Sequence, residues 1–210
     1  MAKIKLTKNE LKKQKDALKM YKRYLPTLML KKQQLQAEIR TTEIRIRELK
    51  DEKDRIDASL KSWIAVFGER GIFTPELLKI TRVKIGQGNI AGVPIPVFEG
   101  AEYQIASYNI TRTPLWLDLA VERMKQILLL DLETNIVEKQ RNLLNHELRV
   151  TTQRVNLFEK IKIPETGSNI KKIQIYLGDQ QTAAVVRGKI AKRGLAKAAQ
   201  GGVAPQGGAL

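Results

Sequence analysis

The stretch "LQAEIRTTEIRIRELKDEKDRI", Leu35 to Ile56, decides the fold. Leu35, Ile39, Ile46, Leu49 and Ile56 recur in alternating steps of four and three, with Thr42 and Lys53 in the same phase. Such steps hold one stripe on one face of an α-helix. A strict seven-residue repeat keeps that stripe against a partner helix only by supercoiling left-handedly. Outward from this stretch, the same walk runs from Leu11 to Phe67, and thirteen of its seventeen positions are apolar. A helix of that length, unbroken, spans about 85 Å. Pro26 should kink it near Arg23, because proline lacks an N–H and crowds the carbonyl four residues earlier. Gly68 and Gly71 should end it.

A second helix is expected to begin with Thr113 as N-cap and Pro114 at the first helical position. Its seam reads Ala120, Ile127, Leu130, Val137, Leu144, Leu148, Val155 and Phe158, with Arg123, Thr134, Arg141 and Thr151 between. Pro164 and Gly167 should kink or interrupt it. The pattern resumes at Ile170, Ile173 and Leu177, and the helix is expected to reach about Arg193. Two helices with matching seams should fold back antiparallel, with Phe67 near Leu115 and Leu11 near Lys171. The end beyond Gly178 then projects as a single helix.

The connector, 68–112, is different. "LLKITRVKIGQ" and "NIAGVPIPVFEG" are rich in β-branched residues and are separated by glycine-containing turns. "AEYQIASYNI" reads as a possible third strand, and Pro94 and Pro96 keep the second run at a sheet edge. The expectation is a mainly α protein: a long antiparallel two-helix left-handed coiled coil, capped at the pole opposite the termini by a small β-hairpin module. Its parts are an N-terminal helix (1–67), the connector (68–112), a C-terminal helix with a protruding basic tip (113–193) and a disordered Gly-rich tail (194–210).

Within the connector, Gly86-Gln87-Gly88-Asn89-Ile90-Ala91 spells G-x-G-x-x-A, a dinucleotide-binding fingerprint. That fingerprint works only where its glycines open a helix whose N-terminal N–H groups meet a pyrophosphate. Gly92, Val93, Pro94, Ile95 and Pro96 follow, and no helix starts there. The motif reads as the turn of a hairpin.

The remaining candidates have plain readings. There is no cysteine, so thiol chemistry and Cys-ligated metals are excluded, and the one histidine, His146, reads as a flank residue. Asp51, Glu52, Asp54 and Asp57 point in several directions around a helix and are interleaved with Lys53, Arg55 and Lys61, which reads as a solvated face. Lys32 and Lys53 on the seam read as snorkelling or register-fixing residues. No catalytic, cofactor-binding or metal site survives. No apolar run is long enough to span a bilayer, and the opening "MAKIKLTKNELKKQK" lacks the apolar core of a signal peptide, so the chain is expected to be cytoplasmic.

The formal charge of +16 is concentrated at the ends. Residues 1–35 carry a net +9 and residues 171–197 a net +6. In the antiparallel arrangement both fall at one pole. Charge of this kind suits an acidic protein socket; it also fits a basic coiled-coil scaffold or a nucleic-acid-binding protein, which stands as the alternative reading.

Three blocks carry a resemblance. "LTKNELKKQKDALKMYKRYLPTLMLKKQQLQAE", Leu6 to Glu38, resembles the opening of the D subunit of the V-type/A-type rotary ATPases. Asn89 to Val93, "NIAGV", is similar to that family's connector, and "TTQRVNLFEKIKIP" resembles its late signature, here Arg154, Val155, Asn156, Glu159, Ile163 and Pro164. The likeness covers about residues 4–190; the segment after Pro164 is milder in charge than in many members. The resemblance implies a central rotor axle that is not itself an enzyme and binds no nucleotide or other cofactor. Its implied partners are the catalytic A and B subunits, the F subunit and the coupling subunit (C/d type) above the membrane ring, with no nucleic acid and no membrane insertion. It would turn within the A/B hexamer, coupling ATP synthesis or hydrolysis to ion, including hydrogen-ion, transport. Lys12, Lys15, Lys19, Arg187, Lys189, Lys192 and Arg193 are the candidate hexamer-bearing residues. Gly86, Gly88, Asn89, Ile90, Gly92 and Val93 form the candidate partner-facing connector.

Overall fold

The computed structural model describes residues 4–61, 77–106 and 116–201. Five regular elements and a π-helical turn follow one another: α1 (Lys8–Lys61), β1 (Leu78–Ile90), β2 (Val93–Ile105), α2 (Trp116–Asn156), the π-turn (Leu157–Lys162) and α3 (Ile163–Gly201). The expected stops at Gly68 and Gly71, the cap at Thr113–Pro114 and the pairing of Phe67 with Leu115 lie outside the described residues. The start of α1 carries a T-x-x-E pattern: the Thr7 hydroxyl accepts from the Glu10 N–H at 3.3 Å, and Leu11 N–H donates to the Thr7 carbonyl at 2.9 Å.

The chain divides into two compact units, Met1–Thr27 with Val155–Leu210, and Leu28–Arg154. In the second unit, α1 and α2 run antiparallel. Leu35 and Ile39 pack with Leu144, while Ile46 and Leu49 pack with Val137 and Leu130. Every described seam position from Leu11 to Leu60 is buried or half-buried. On α2, Arg123 is the one expected seam position that is exposed. Ion pairs bind the helices along both flanks of the seam: Lys31–Glu147, Arg45–Glu133, Lys50–Glu138 and Lys53–Asp131, all between 2.7 and 2.8 Å. Lys53 therefore does more than snorkel. Its half-buried seam position is closed by a charge on the other helix, which penalises a slipped register.

β1 and β2 form a two-stranded antiparallel hairpin. The run "AEYQIASYNI" is not a separate third strand; Ala101 to Ile105 continue β2 opposite β1. Two irregularities, between Ile80 and Arg82 and between Lys84 and Ile85, absorb an extra residue each, which twists and bends the ribbon.

The hairpin does not cap the helices at their far end. Its tip residues Val93 and Ile95, with Ile90 and Ala91, pack on Leu35, Ile39, Leu144 and Leu148, deep within the run of both helices. Leu77, just before β1, packs with Leu117 and Val121 near the start of α2. Between these anchors, Lys125 Nζ stands 5.8 Å from the centroid of the Tyr103 ring and Gln140 Nε2 donates to the Pro96 carbonyl. The hairpin thus lies lengthwise on the coiled coil. An isolated two-stranded hairpin is marginal in water, and its apolar inner face is stable only against another surface. α2 supplies that surface, because it buries more than one stripe: Leu117, Val121 and Ile136 are buried although none lies on the seam.

In the first unit, α1 meets the end of the second helix through Tyr21 and Phe158, whose rings stack 5.1 Å apart at 45°. The pairing fits the expected register. Val155, Thr166, Asn169, Ile170 and Ile173 are buried here. Two sequence expectations are corrected. The interruption near Pro164 is not a break at Pro164–Gly167 but the π-turn just before it. Pro164 cannot donate to the Lys160 carbonyl, and a wider turn absorbs the mismatch while the helix continues. α3 also runs past Arg193 to Gly201, so the tail is helical there. "KIAKRGLAKAAQ" is rich in alanine, leucine, lysine and arginine, and the isolated Gly194 costs only about 1 kcal/mol against that propensity.

Candidate functional surfaces

Two surfaces hold the candidate residues, the hairpin of the second unit and the helical tip of the first. In the hairpin, Ile90 and Val93 pair directly across a two-residue loop, Ala91-Gly92. Ala91 has φ 51° and Gly92 φ 77°, the left-handed pair that a type I′ turn needs. The Asn89 side-chain oxygen accepts from the Gly92 N–H at 2.9 Å and steadies the loop. A glycine fits this turn at position 92 and an alanine is strained at 91.

The turn therefore begins three residues beyond Gly88, the last glycine of the G-x-G motif. Gly86 and Gly88 sit inside β1, opposite Val97 and Ile95. A Cβ on Gly88 would come within 2.9 Å of Val97 Cγ2 and 3.3 Å of Ile95 Cγ1, and one on Gly86 would collide with the Glu99 side chain. Their smallness lets neighbouring side chains fold over the strand. A paired strand offers no convergent N–H groups at a helix start, so this motif is no phosphate cradle.

The prolines have a complementary logic. The closing pair Ile90–Val93 exchanges both ladder bonds, and pairs then alternate, so Asn89–Pro94 and Gln87–Pro96 need none. Both prolines fall where a missing N–H costs nothing. The outward carbonyl of Pro96 is the one that takes the Gln140 amide. Ile80, Ile85, Val97 and Ile105 of the hairpin are exposed. Lys84 bridges Glu102 at 2.8 Å, a hydrogen bond that holds the carboxyl below its usual range and the ammonium above its own. Desolvation against the helices raises the Tyr103 phenol. Asn89, Ile90, Gly92 and Val93 thus hold the turn and its anchor on the coil; Val93 itself is buried.

At the other surface, every residue of α3 from Asp179 to Lys197 is exposed. Arg187, Lys189, Lys192 and Arg193 are among them, as are Lys12, Lys15 and Lys19 on α1 of the same unit. Lys189, Lys192 and Arg193 share one helix face at i, i+3 and i+4, and Arg187 lies off it. Sequence reasoning on charge missed the apolar residues among and beside them: Val185, Val186, Ile190 and Leu195 are exposed, Leu195 at 74%. The signal was present in "AAVVRGKIAKRGL", which has no seam partner to cover it.

The late signature, Arg154 to Pro164, spans the π-turn. Val155 is a buried seam residue, whereas Arg154, Asn156, Glu159 and Pro164 are exposed. Among the described residues no helix is long and apolar enough to cross a membrane.

Each unit has its own feature: the second is an antiparallel pair of helices with a hairpin laid along it, and the first ends in an exposed helix that carries both cationic and apolar side chains. A family model for the D subunit of ATP synthase matches residues 10–193, and the chain belongs to that family. It is a non-catalytic subunit of a rotary ATPase. The V-type ATP synthase D subunit of Borreliella burgdorferi is 52% identical over 94% of this chain and 97% of its own length. The proteins of the same name from Chlamydia caviae and Chlamydia trachomatis are each 35% identical over 90% of this chain, covering 92% and 95% of their own lengths.

Proposed function

We propose that the chain is the central shaft of a V-type ATP synthase, peripheral to the membrane on the cytoplasmic side, with its bare tip held in the bore of the A/B catalytic hexamer. The observation that carries this is the tip. A lone helix with no packed face is marginal in water, and exposed apolar side chains on it mark a covered surface in the assembly. A sleeve around the tip would bury Val185, Val186 and Ile190. Arg187, Lys189, Lys192 and Arg193, with Lys12, Lys15 and Lys19, would ride on its acidic or polar lining. The hairpin and neighbouring coil would face the other stalk components, the F subunit and the C/d-type coupling subunit. Rotation of this shaft would couple ATP turnover to ion, including hydrogen-ion, flow through the membrane ring.

Replacement of Arg187, Lys189, Lys192 and Arg193 by alanine should weaken binding to the A/B hexamer most at low salt, because exposed charges are screened within about 10 Å at 0.1 M. Truncation after Gly178 should abolish binding at any salt. Wild-type hexamer affinity after truncation overturns the reading. Tight binding of duplex DNA with a steep inverse salt dependence would instead support the nucleic-acid alternative.

A further inference from the structure

The seam of the second helix changes phase at the π-turn. Up to Phe158 it follows the three–four rhythm through Thr151 and Val155, and beyond it the stripe runs through Thr166, Ile170 and Ile173, with Asn169 buried beside Ile170. From Phe158 an unbroken rhythm would call for 165, 169, 172 and 176, of which Asn169 alone is buried. The observed positions lie one residue later, and the π-turn Leu157–Lys162 takes up that surplus residue, with the Ile163 N–H reaching back five residues to the Phe158 carbonyl. Packing alone is served as well by one residue fewer, since the same side chains would then meet α1 through a continuous α-helix. The surplus has a mechanical consequence instead.

α1 carries its own defect at the same level. Pro26 cannot donate to the Lys22 carbonyl, and Thr27 Oγ1 donates back to the Tyr24 carbonyl at 2.8 Å. In the second helix Pro164 cannot donate to the Lys160 carbonyl, and Thr166 Oγ1 donates to the Lys162 carbonyl at 2.6 Å. Proline gaps and such back-bonding hydroxyls both loosen and bend helices. The two carbonyls left open, those of Lys22 and Lys160, lie one and two residues from Tyr21 and Phe158, within one helical turn of that ring contact, while the prolines themselves fall on opposite sides of it. In a two-stranded coil an intact helix masks a defect in its partner; two defects at one level leave neither strand to do so.

We propose that Pro26 and the Leu157–Lys162 π-turn form one compliant section, in which both strands of the first unit yield to twist around the Tyr21–Phe158 stack. Its use as an elastic element rests on the shaft reading above; its existence does not. The test is the full chain with Lys160 deleted and Pro164→Ala, which restores a continuous seam, beside Pro26→Ala as a milder variant. In the purified chain, amide exchange over residues 157–163 should slow roughly ten-fold or more on deletion, as expected when a locally opening segment becomes regular helix. Pro26→Ala should slow exchange over residues 20–26. In the assembled complex both variants should bind the hexamer as the wild type does, yet hydrolyse ATP several-fold more slowly. Unchanged exchange in the deletion variant overturns the joint. Slowed exchange with unchanged ATP turnover overturns its elastic role. Failure of the wild-type chain to bind a hexamer counts against the shaft reading alone, because the exchange measurement needs no partner.

Discussion

The two units are built from the same seam and hold it differently. Around Leu144 the second unit closes a core from three directions, with Leu35 and Ile39 of α1 on one side and Val93 and Ile95 of the hairpin on another. Four ion pairs bridge its two helices. In the first unit no residue of α1 from Lys8 to Thr27 is fully buried, and the ring contact is between half-buried Tyr21 and Phe158. The difference is one layer. A bare coiled coil shields only its seam, whereas a hairpin laid along the coil buries a second stripe of α2.

The largest expected effects break this contrast directly. Leu144→Ala should cost about 2–5 kcal/mol, because its neighbours belong to three elements and cannot all collapse into the cavity. Tyr21→Ala, at a half-buried pair, should cost appreciably less, about 1–2 kcal/mol. Urea unfolding of the two variants checks this; equal losses would mean that the hairpin layer adds nothing to the core. For the same reason, removal of Gly86 to Phe98 should destabilise the second unit by exposing Leu35, Ile39 and Leu144, rather than excising an independent module.

The turn allows a finer probe. Gly92→Ala places a Cβ in a left-handed conformation and should cost about 1–2 kcal/mol, while Ala91→Gly relieves the same strain and should gain up to about 1 kcal/mol. Gly88→Ala should also destabilise, since its Cβ would come within 2.9 Å of Val97 Cγ2 and clearing it needs a shift of a stiff β-branched side chain. A midpoint shift of the same sign for Ala91→Gly and Gly92→Ala would show that the loop is not the type I′ turn described.

The coil was legible because its physics is local. A stripe repeated over eight heptads is visible in one sequence, and the positions named from Leu11 to Leu60 are those removed from water. The hairpin was legible as strands, through β-branched runs and a glycine-containing turn. Its place was not. Nothing in "VPIPVF" says which helix face it covers, although the leucine surplus of "ILLLDLETNI", more than one seam can use, was the available clue. The turn was misplaced because glycine was read for its backbone freedom, whereas Gly88 fits for its lack of a side chain beside Val97 and Ile95, and Gly86 faces only the flexible Glu99 side chain. The π-turn was written in the phase jump from Phe158 to Ile170, but proline drew attention to its own position rather than to the turn before it. At the tip, charge was counted and the valines and isoleucine between the charges were not.

The smallest predicted effect concerns the ion pairs that distinguish the second unit. The Lys50 ammonium donates to Glu138 at 2.8 Å and holds that carboxyl below its ordinary range, with Arg141 contributing. A carboxyl whose pKa is lower in the folded chain stabilises the fold above its unfolded value, near 4.3, and loses that contribution as pH falls through the folded one. The hydrogen bond from Lys53 to Asp131 raises the lysine instead, so its contribution persists through neutral pH and is lost only as pH rises through its elevated folded value. Both pairs are largely solvent-exposed, and each is worth well under about 1 kcal/mol. Glu138→Gln should therefore lower stability slightly at pH 7 and flatten the acid limb of the stability–pH curve below about pH 4.3, with little change near pH 10. Lys53→Met should flatten the alkaline limb and leave the Glu138 contribution in place. Because exposed pairs are screened, both differences should shrink in 1 M salt. If Glu138→Gln instead altered the alkaline limb, the pair would not be acting through the carboxyl, and the flanking charges would be setting register through packing alone.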